Sequence, residues 1–241
     1  MLCGKGLTKR FGATVALDNV NCCVEAGKIT AVVGPSGSGK STLLRVLSLV
    51  EIPETGVINI DGNEYSFPTN AGRIEPPWPR VTVVFQQLFL WPHLTLRDNI
   101  LLPAQRRGIR QIDTKLKELI SAFDMAGFID RHPNETSQGQ RQRAALARGL
   151  LLEPAYILLD EVTSALDVES IAAVVEHLSA VRASGIGILI VTHLLGFARR
   201  SADYVLFVDG GRVLESGGRE ILERATHPKL KRFIGLVERA D

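Results

Sequence analysis

The chain has 241 residues, 45% of them hydrophobic and 22% charged, which is the balance of a folded globular protein rather than a disordered one. Lys+Arg number 28 against 26 Asp+Glu, a formal net charge of +2, so the basic excess of a nucleic-acid binder is missing and no nucleic-acid partner is expected. No run approaches the ~20 apolar residues of a membrane span, and the opening MLCGKGLTKRFG lacks the apolar core of a signal peptide, so a soluble cytoplasmic chain is expected.

Cys3, Cys22 and Cys23 are an odd count without C-x-x-C spacing. That argues against a disulfide framework or a zinc site and leads to the expectation of reduced, structural thiols. VNCCVEAGKITAVVG closes in a buried strand over Ile29 to Val33, and KSTLLRVLSLVEI places Leu43, Leu44, Leu47 and Val50 at helical spacing. GVINIDG alternates like a strand and turns at Asp61-Gly62, whereas residues 66–80 hold four prolines and read as a surface loop. VTVVF (81–85) is a strand. The segment from about Leu94 to Leu152 is mostly helical, with DTKLKELISAFDMAGF as one amphipathic helix. YILLD (156–160) and IGILIVTH (186–193) are buried strands around a helix in VESIAAVVEHLSAVRASG, and DYVLFVDGGRVLESG is a hairpin. Strands alternating with helices predict a mostly parallel sheet flanked by helices.

Gly34-Pro35-Ser36-Gly37-Ser38-Gly39-Lys40-Ser41-Thr42 fits G-x-x-x-x-G-K-[ST] between a strand and a helix, the context that makes this pattern specific. Its backbone N–H groups and the helix start suit a polyphosphate, with Lys40 reaching the β- and γ-phosphates and the Ser41 hydroxyl on Mg²⁺. A flexible Ser/Gly turn would not need the Lys-Ser pair at the helix start. Tyr156-Ile-Leu-Leu-Asp160-Glu161 delivers two carboxylates at a strand's C-terminal end, where open α/β sheets bind ligands. Asp160 can hold Mg²⁺ through its water shell, and Glu161 can orient or deprotonate the attacking water. The Asn-Lys-x-Asp run that reads guanine is absent, which favours ATP over GTP.

A third stretch, ETSQGQRQR (135–143), is an odd way to begin a helix, since glycine is a poor helix former. Ser137 followed three residues later by Gln140 is a capping-box pattern, which makes Ser137 the N-cap, Gln138 N1, Gly139 N2 and Gln140 N3. Such a helix start presents bare N–H groups and a positive dipole end to an anion.

Together these stretches resemble the ATP-binding cassette (ABC) ATPases over nearly the whole chain. The phosphate loop, Gln86 in VVFQQ, TSQGQ (136–140), ILLDE (157–161), SALD (164–167) and His193 in IVTH stand in the family's order. The resemblance implies an α/β fold: a RecA-like P-loop NTPase core with a mostly parallel sheet, an N-terminal antiparallel β part and an inserted helical subdomain. A single cassette would span 1–241, with 1–87 and 155–241 as the nucleotide-binding core and about 88–154 as the insertion.

The same resemblance implies individual roles. Phe11 would stack on adenine, Gln86 would contact Mg²⁺ or water and report the γ-phosphate, His193 would touch the γ-phosphate, and Asp167 would sit at a dimer seam. Ser137, Gly139 and Gln140 would face the γ-phosphate of ATP on a second ABC subunit, so that two cassettes sandwich two ATP head to tail. Thr136, Gln138, Val162, Val168 and Leu194 depart from the family pattern without removing a phosphate, metal or water ligand.

LFLWPHLTLRDNI (88–100) resembles importer cassettes, in which this segment docks a transmembrane permease subunit; exposed Leu88, Phe89, Leu90 and Trp91 would suit that interface. The ending GRVLESGGREILERATHPKLKRFIG looks like that of polar-amino-acid import ATPases, with no room for a regulatory domain after it. The expected protein is an ATPase subunit on the cytoplasmic face of the membrane, served indirectly by an extracytoplasmic solute-binding protein. An export or lipid-extraction cassette, or a soluble non-transport ABC ATPase, stands as the alternative.

Overall fold

The computed structural model describes residues 1–69, 74–162, 178–179 and 181–239. The chain opens with two long strands, β1 (Leu2–Phe11) and β2 (Thr14–Val24), which pair antiparallel and are joined by β4 (Thr55–Ile60) and β5 (Asn63–Phe67) in a four-stranded sheet of order β2-β1-β4-β5. The second sheet has six strands, in the order β10 (Arg212–Gly218), β9 (Tyr204–Asp209), β3 (Ile29–Val33), β8 (Gly187–Val191), β7 (Tyr156–Asp160) and β6 (Val81–Val84). From β9 to β6 all pairings are parallel, and only β10 runs antiparallel, as the return strand of a hairpin.

All residues of β3, β7 and β8 are buried, as their uninterrupted apolar sequences require of strands covered on both faces. Side chains alternate between those faces. Val32, Leu158 and Leu189 pack with α1 (Lys40–Leu47) and the antiparallel sheet, against Leu43, Leu44, Leu7 and Ile58. Ala31, Val33, Leu159 and Ile190 face a second core with α2 (Leu96–Arg106), α4 (Gln138–Leu150) and α5 (Leu195–Ser201). Between α2 and α4 lies α3 (Ile112–Ala122), and α6 (Pro228–Val237) closes the described chain.

Three sequence expectations are corrected. The amphipathic helix expected over 113–128 stops at Ala122: Asp124 takes a left-handed φ of 46°, and Met125 N–H donates to Ile120 C=O at 2.9 Å. This is the Schellman termination, with Asp in the place usually held by glycine and buried Met125 as its apolar contact. The proline-rich loop begins two residues late, because Ser66 and Phe67 complete β5. Cys3 and Cys23 are disulfide-bonded rather than reduced: the β1–β2 register sets them opposite each other, while alternation turns Cys22 to the buried face, where loss of solvent pushes its thiol up to about 12. The helix expected in 168–185 and the SALD stretch with Asp167 fall, apart from residues 178–179 and 181–185, outside the described residues.

The two sheets are tied at Asp61, in the β4–β5 turn. Its carboxylate accepts from Tyr156 Oη at 2.6 Å, from Arg80 Nε and Nη2 at 2.9 and 2.7 Å, and from the terminal amine of Met1. Burial alone would raise this carboxyl, but the hydrogen bonds from the amine, Tyr156 and Arg80 outweigh it and hold it at about 2 against an ordinary 3.8. The folded value is depressed, so the stabilisation is complete above pH 3.8 and is lost as pH falls through about 2. Arg80 is half exposed, so solvent screening trims the gain to about 1–2 kcal/mol. Asp61→Ala should lower the urea-unfolding stability by that amount at pH 7, and the gap from wild type should narrow at pH 2.5.

Candidate functional site: a phosphate loop between two sheets

The phosphate loop leaves β3 at Gly34, where a Cβ would lie 2.0 Å from Val208 C=O. At Gly39, with φ 106°, a Cβ would come 2.3 Å from Ala16 C=O. Only glycine fits either place, and both contacts press the loop against neighbouring strands. A further brace comes from the β9–β10 turn: Gly211 N–H donates to Ser38 C=O at 2.9 Å, and Gly211 C=O accepts from Asp18 N–H at 2.9 Å. Ala16 and Gly211 therefore shape the loop although neither belongs to its motif. The Asp209-Gly210-Gly211 turn was the only trace of this in the sequence.

Lys40 opens α1 and is buried. Its ammonium donates to Gly34 C=O at 2.9 Å and Pro35 C=O at 2.8 Å, folding back across the loop's mouth. Burial pulls its pKa down, opposed by the charges of Glu161 and Asp160. Ser41 Oγ donates to Asp160 Oδ1 at 2.8 Å, bringing together residues 119 apart in sequence. Asp160 is buried at the end of β7; desolvation raises its pKa, and the Ser41 hydrogen bond opposes that. Ser38 Oγ is buried with no hydrogen-bond partner among the described residues, and such an atom in a native protein calls for an explanation, of which a bound ion or water is one. Ser36 and Gly37 form the exposed tip, and Thr42 is half-buried behind Ser41.

The remaining residues emerge from neighbouring strands at the same edge. Asp160 pairs with Val191 on β8, and Glu161 follows with its N–H donating to Val191 C=O at 3.0 Å and a left-handed φ of 48°. Thr192 N–H bonds to Val32 C=O at 3.1 Å and Thr192 Oγ1 accepts from Leu194 N–H at 3.1 Å, fixing the turn that carries exposed His193. Val84 pairs with Leu159, so exposed Gln86 projects two residues beyond, level with Glu161. Across the sheet, Gln86, Asp160 with Glu161, His193 and the phosphate loop thus follow in order along one carboxyl-terminal edge, where open α/β sheets bind ligands.

Phe11 ends β1, pairs with Thr14 and is 48% exposed, with Lys9 Nζ 5.1 Å from its ring centroid. Its partner strand β2 also carries Ala16, whose carbonyl abuts Gly39 of the loop.

The start of α4 has the expected cap. Ser137 is N-cap with φ −66° and ψ 164°, its hydroxyl accepts from Gln140 N–H at 3.3 Å, and Gln140 Oε1 accepts from Ser137 N–H at 2.9 Å. Ser137 and Gln138 face solvent, Gly139 is half-buried, and among the described residues no hydrogen bond joins this helix start to the phosphate loop of the same chain. In the LFLW segment, Phe89 and Trp91 are 57% and 39% exposed, whereas Leu88 and Leu90 pack onto the helical core. The expected apolar face is therefore half as wide as the sequence suggested, because Leu88 and Leu90 are taken up by the core and the left-handed turn at Phe89 (φ 48°) leaves its ring outside.

The chain is 36% identical over 236 residues to the arginine transport ATP-binding protein ArtP of Haemophilus influenzae, covering 95% of this chain and 97% of that one. It is also 36% identical over 234 residues to the glutamine transport ATP-binding protein GlnQ of Escherichia coli, with 95% and 97% covered. Among solved structures, a dimeric ATP-binding cassette in a post-hydrolysis state bound to ADP and Pi superposes with a TM-score of 0.79 at 29% identity, over 91% of this chain and 99% of that one. The ABC transporter family model matches residues 17–164, and with the phosphate loop, Asp160–Glu161 and the capped α4 in place, this chain belongs to the ABC transporter family.

Proposed function

We propose that this chain is the ATP-hydrolysing subunit of an importer for polar amino acids, working as a pair of cassettes on separate permease subunits. The carrying observation is the 2.8 Å bond from Ser41 to Asp160, which joins the phosphate-loop helix to the carboxylate strand. Lys40 is held by two backbone carbonyls that phosphate oxygens can replace, and the N–H groups of Gly37–Thr42 supply the anion nest. Orphaned Ser38 Oγ gains a partner when phosphate enters.

The donor set suits Mg²⁺, a hard cation that prefers oxygen and usually takes one or two protein ligands alongside phosphates. Ser41 Oγ and Asp160, with the amide oxygen of Gln86, would hold it. When bound, it neutralises charge on the β- and γ-phosphates. Glu161 accepts the proton of the attacking water, and His193 on the next strand contacts the γ-phosphate. Phe11 gives adenine a stacking face.

Among the described residues the capped α4 start makes no hydrogen bond to the phosphate loop of its own chain, which supports completion in trans: Ser137, Gly139 and Gln140 of one copy close over ATP on the other. The amino-acid assignment rests on the arginine and glutamine transport relatives. Among the described residues no helix is long and apolar enough to cross a membrane, which supports a separate permease and a place on the cytoplasmic face, with a solute-binding protein acting beyond it.

Phe89 and Trp91 are the proposed permease contact. Phe89→Glu with Trp91→Glu should abolish co-purification with the permease while leaving ATP affinity within about twofold, since an exposed apolar patch contributes to association and not to folding. A fall in melting temperature with lost ATP binding would instead assign both rings to the core. The permease complex in vesicles should accumulate labelled arginine or glutamine on ATP addition; movement only outward would overturn the import reading.

A further inference from the structure

Arg148 lies in the last turn of α4, the helix whose first turn holds Ser137 and Gly139. Its guanidinium donates from Nη2 to Leu88 C=O at 2.6 Å and from Nη1 to Phe89 C=O at 2.8 Å, and it stands 5.8 Å from the Trp91 ring. Loss of solvent lowers its pKa, and no carboxylate among the described residues opposes this. A half-buried cation whose hydrogen bonds, among the described residues, go to two carbonyls and whose charge faces only a ring is a costly arrangement for stability alone, because the desolvation of its charge is not repaid by an ion pair.

The backbone it holds is itself strained. Phe89 has φ 48°, the left-handed region that a β-carbon disfavours. Its ring is thereby turned outward, edge-on to Phe85 at 5.7 Å. Strain of this kind persists only where surrounding groups enforce it, and it gathers at functional sites. Here the enforcing groups are the two N–H donors of Arg148.

We infer that Arg148 is a positioning residue that links the ATP clamp to the exposed Phe89–Trp91 patch. A helix is a stiff rod with a rise of about 1.5 Å per residue, so a displacement of its first turn is carried to its last, roughly 16 Å away. When Ser137 and Gly139 close on a nucleotide, α4 moves as a unit, and the guanidinium takes the Leu88–Phe89 carbonyls, and with them Phe89 and Trp91, along with it. The inference rests on the in-trans ATP reading above. It does not require that Phe89 and Trp91 touch a permease.

The sequence contains two tryptophans, Trp78 and Trp91, so Trp78→Phe leaves Trp91 as the single reporter beside Arg148. In a Trp78→Phe, Glu161→Gln background, ATP with Mg²⁺ should shift Trp91 emission as the dimer forms. Arg148→Met should abolish at least about four-fifths of that shift while dimer formation, followed by sedimentation, persists. Arg148→Lys, which can keep one carbonyl contact, should restore part of it. An unchanged shift in Arg148→Met, or no shift with intact Arg148 despite dimer formation, would overturn the inference. Loss of the dimer in both Arg148 variants would also overturn it, by assigning the residue to the fold of α4. If no dimer forms even with intact Arg148, the in-trans reading itself has failed, a separate and distinguishable result. Failed permease docking in Phe89→Glu/Trp91→Glu leaves this experiment unaffected, because it uses the cassette alone.

Discussion

Glu161→Gln is expected to lower ATP turnover by at least ~100-fold, the scale on which a general base acts, while nucleotide affinity stays near that of wild type. The reason is position. Glu161 leaves β7 immediately after Asp160 and is fixed by its own N–H to Val191 C=O, so the side chain stands at the sheet edge, whereas the hydrogen bonds of Lys40 and Ser41 brace the phosphate loop. The amide is nearly isosteric and keeps the local packing. It cannot take a proton from water. Phosphate release at saturating ATP, together with equilibrium binding of a fluorescent ATP analogue, separates the two effects. Near-wild-type turnover in Glu161→Gln would remove Glu161 from the chemistry.

The second large effect is expected at the start of α4. Gly139→Asp should reduce turnover to a few per cent or less without weakening ATP binding to the isolated chain, because the added carboxylate would stand against the γ-phosphate at a place where the helix dipole and bare N–H groups were arranged for an anion. Ser137→Ala removes a cap whose loss costs about 1 kcal/mol, and its effect should be correspondingly smaller. Gln138→Gly should change turnover only modestly: Gln138 is the first helical residue after an extended N-cap, where the backbone is right-handed and glycine's freedom is not required. Steady-state rates and affinities for the three variants check this ranking. Wild-type turnover in Gly139→Asp would mean that the helix start meets no nucleotide.

What could be read from the sequence was local chemistry. The phosphate loop, the Asp160–Glu161 strand end and the Ser137–Gln140 box each lie within a few residues and declare themselves by residue type and spacing, and the buried runs of β3, β7 and β8 announced a sheet covered on both faces. What escaped was pairing across the fold. The Cys3–Cys23 bond depends on the β1–β2 register, which no spacing rule encodes. Arg148 and Gly211 act through backbone carbonyls and N–H groups, which carry no residue-type signature. The end of α3 was hidden because Asp124, and not glycine, takes the left-handed position. Leu88 and Leu90 looked exposed because their segment is apolar on both sides, and only the helical core against which they pack separates them from Phe89 and Trp91. Asp167, assigned by resemblance to a dimer seam, lies outside the described residues.

The central claim is that each ATP is bound by the phosphate loop of one copy and closed by α4 of the other, and mixing two inactive variants tests it most directly. Lys40→Ala disables the loop, and Gly139→Asp disables the clamp. In a head-to-tail pair of one copy of each, one site receives both lesions and the other receives neither, so ATPase activity should reappear on mixing at well above the sum of the two variants alone. If loop and clamp served the same chain's nucleotide, every site in the mixed pair would carry a lesion. Turnover that stays at the sum of the separate variants, with mixed dimers present by native mass measurement, would contradict the account.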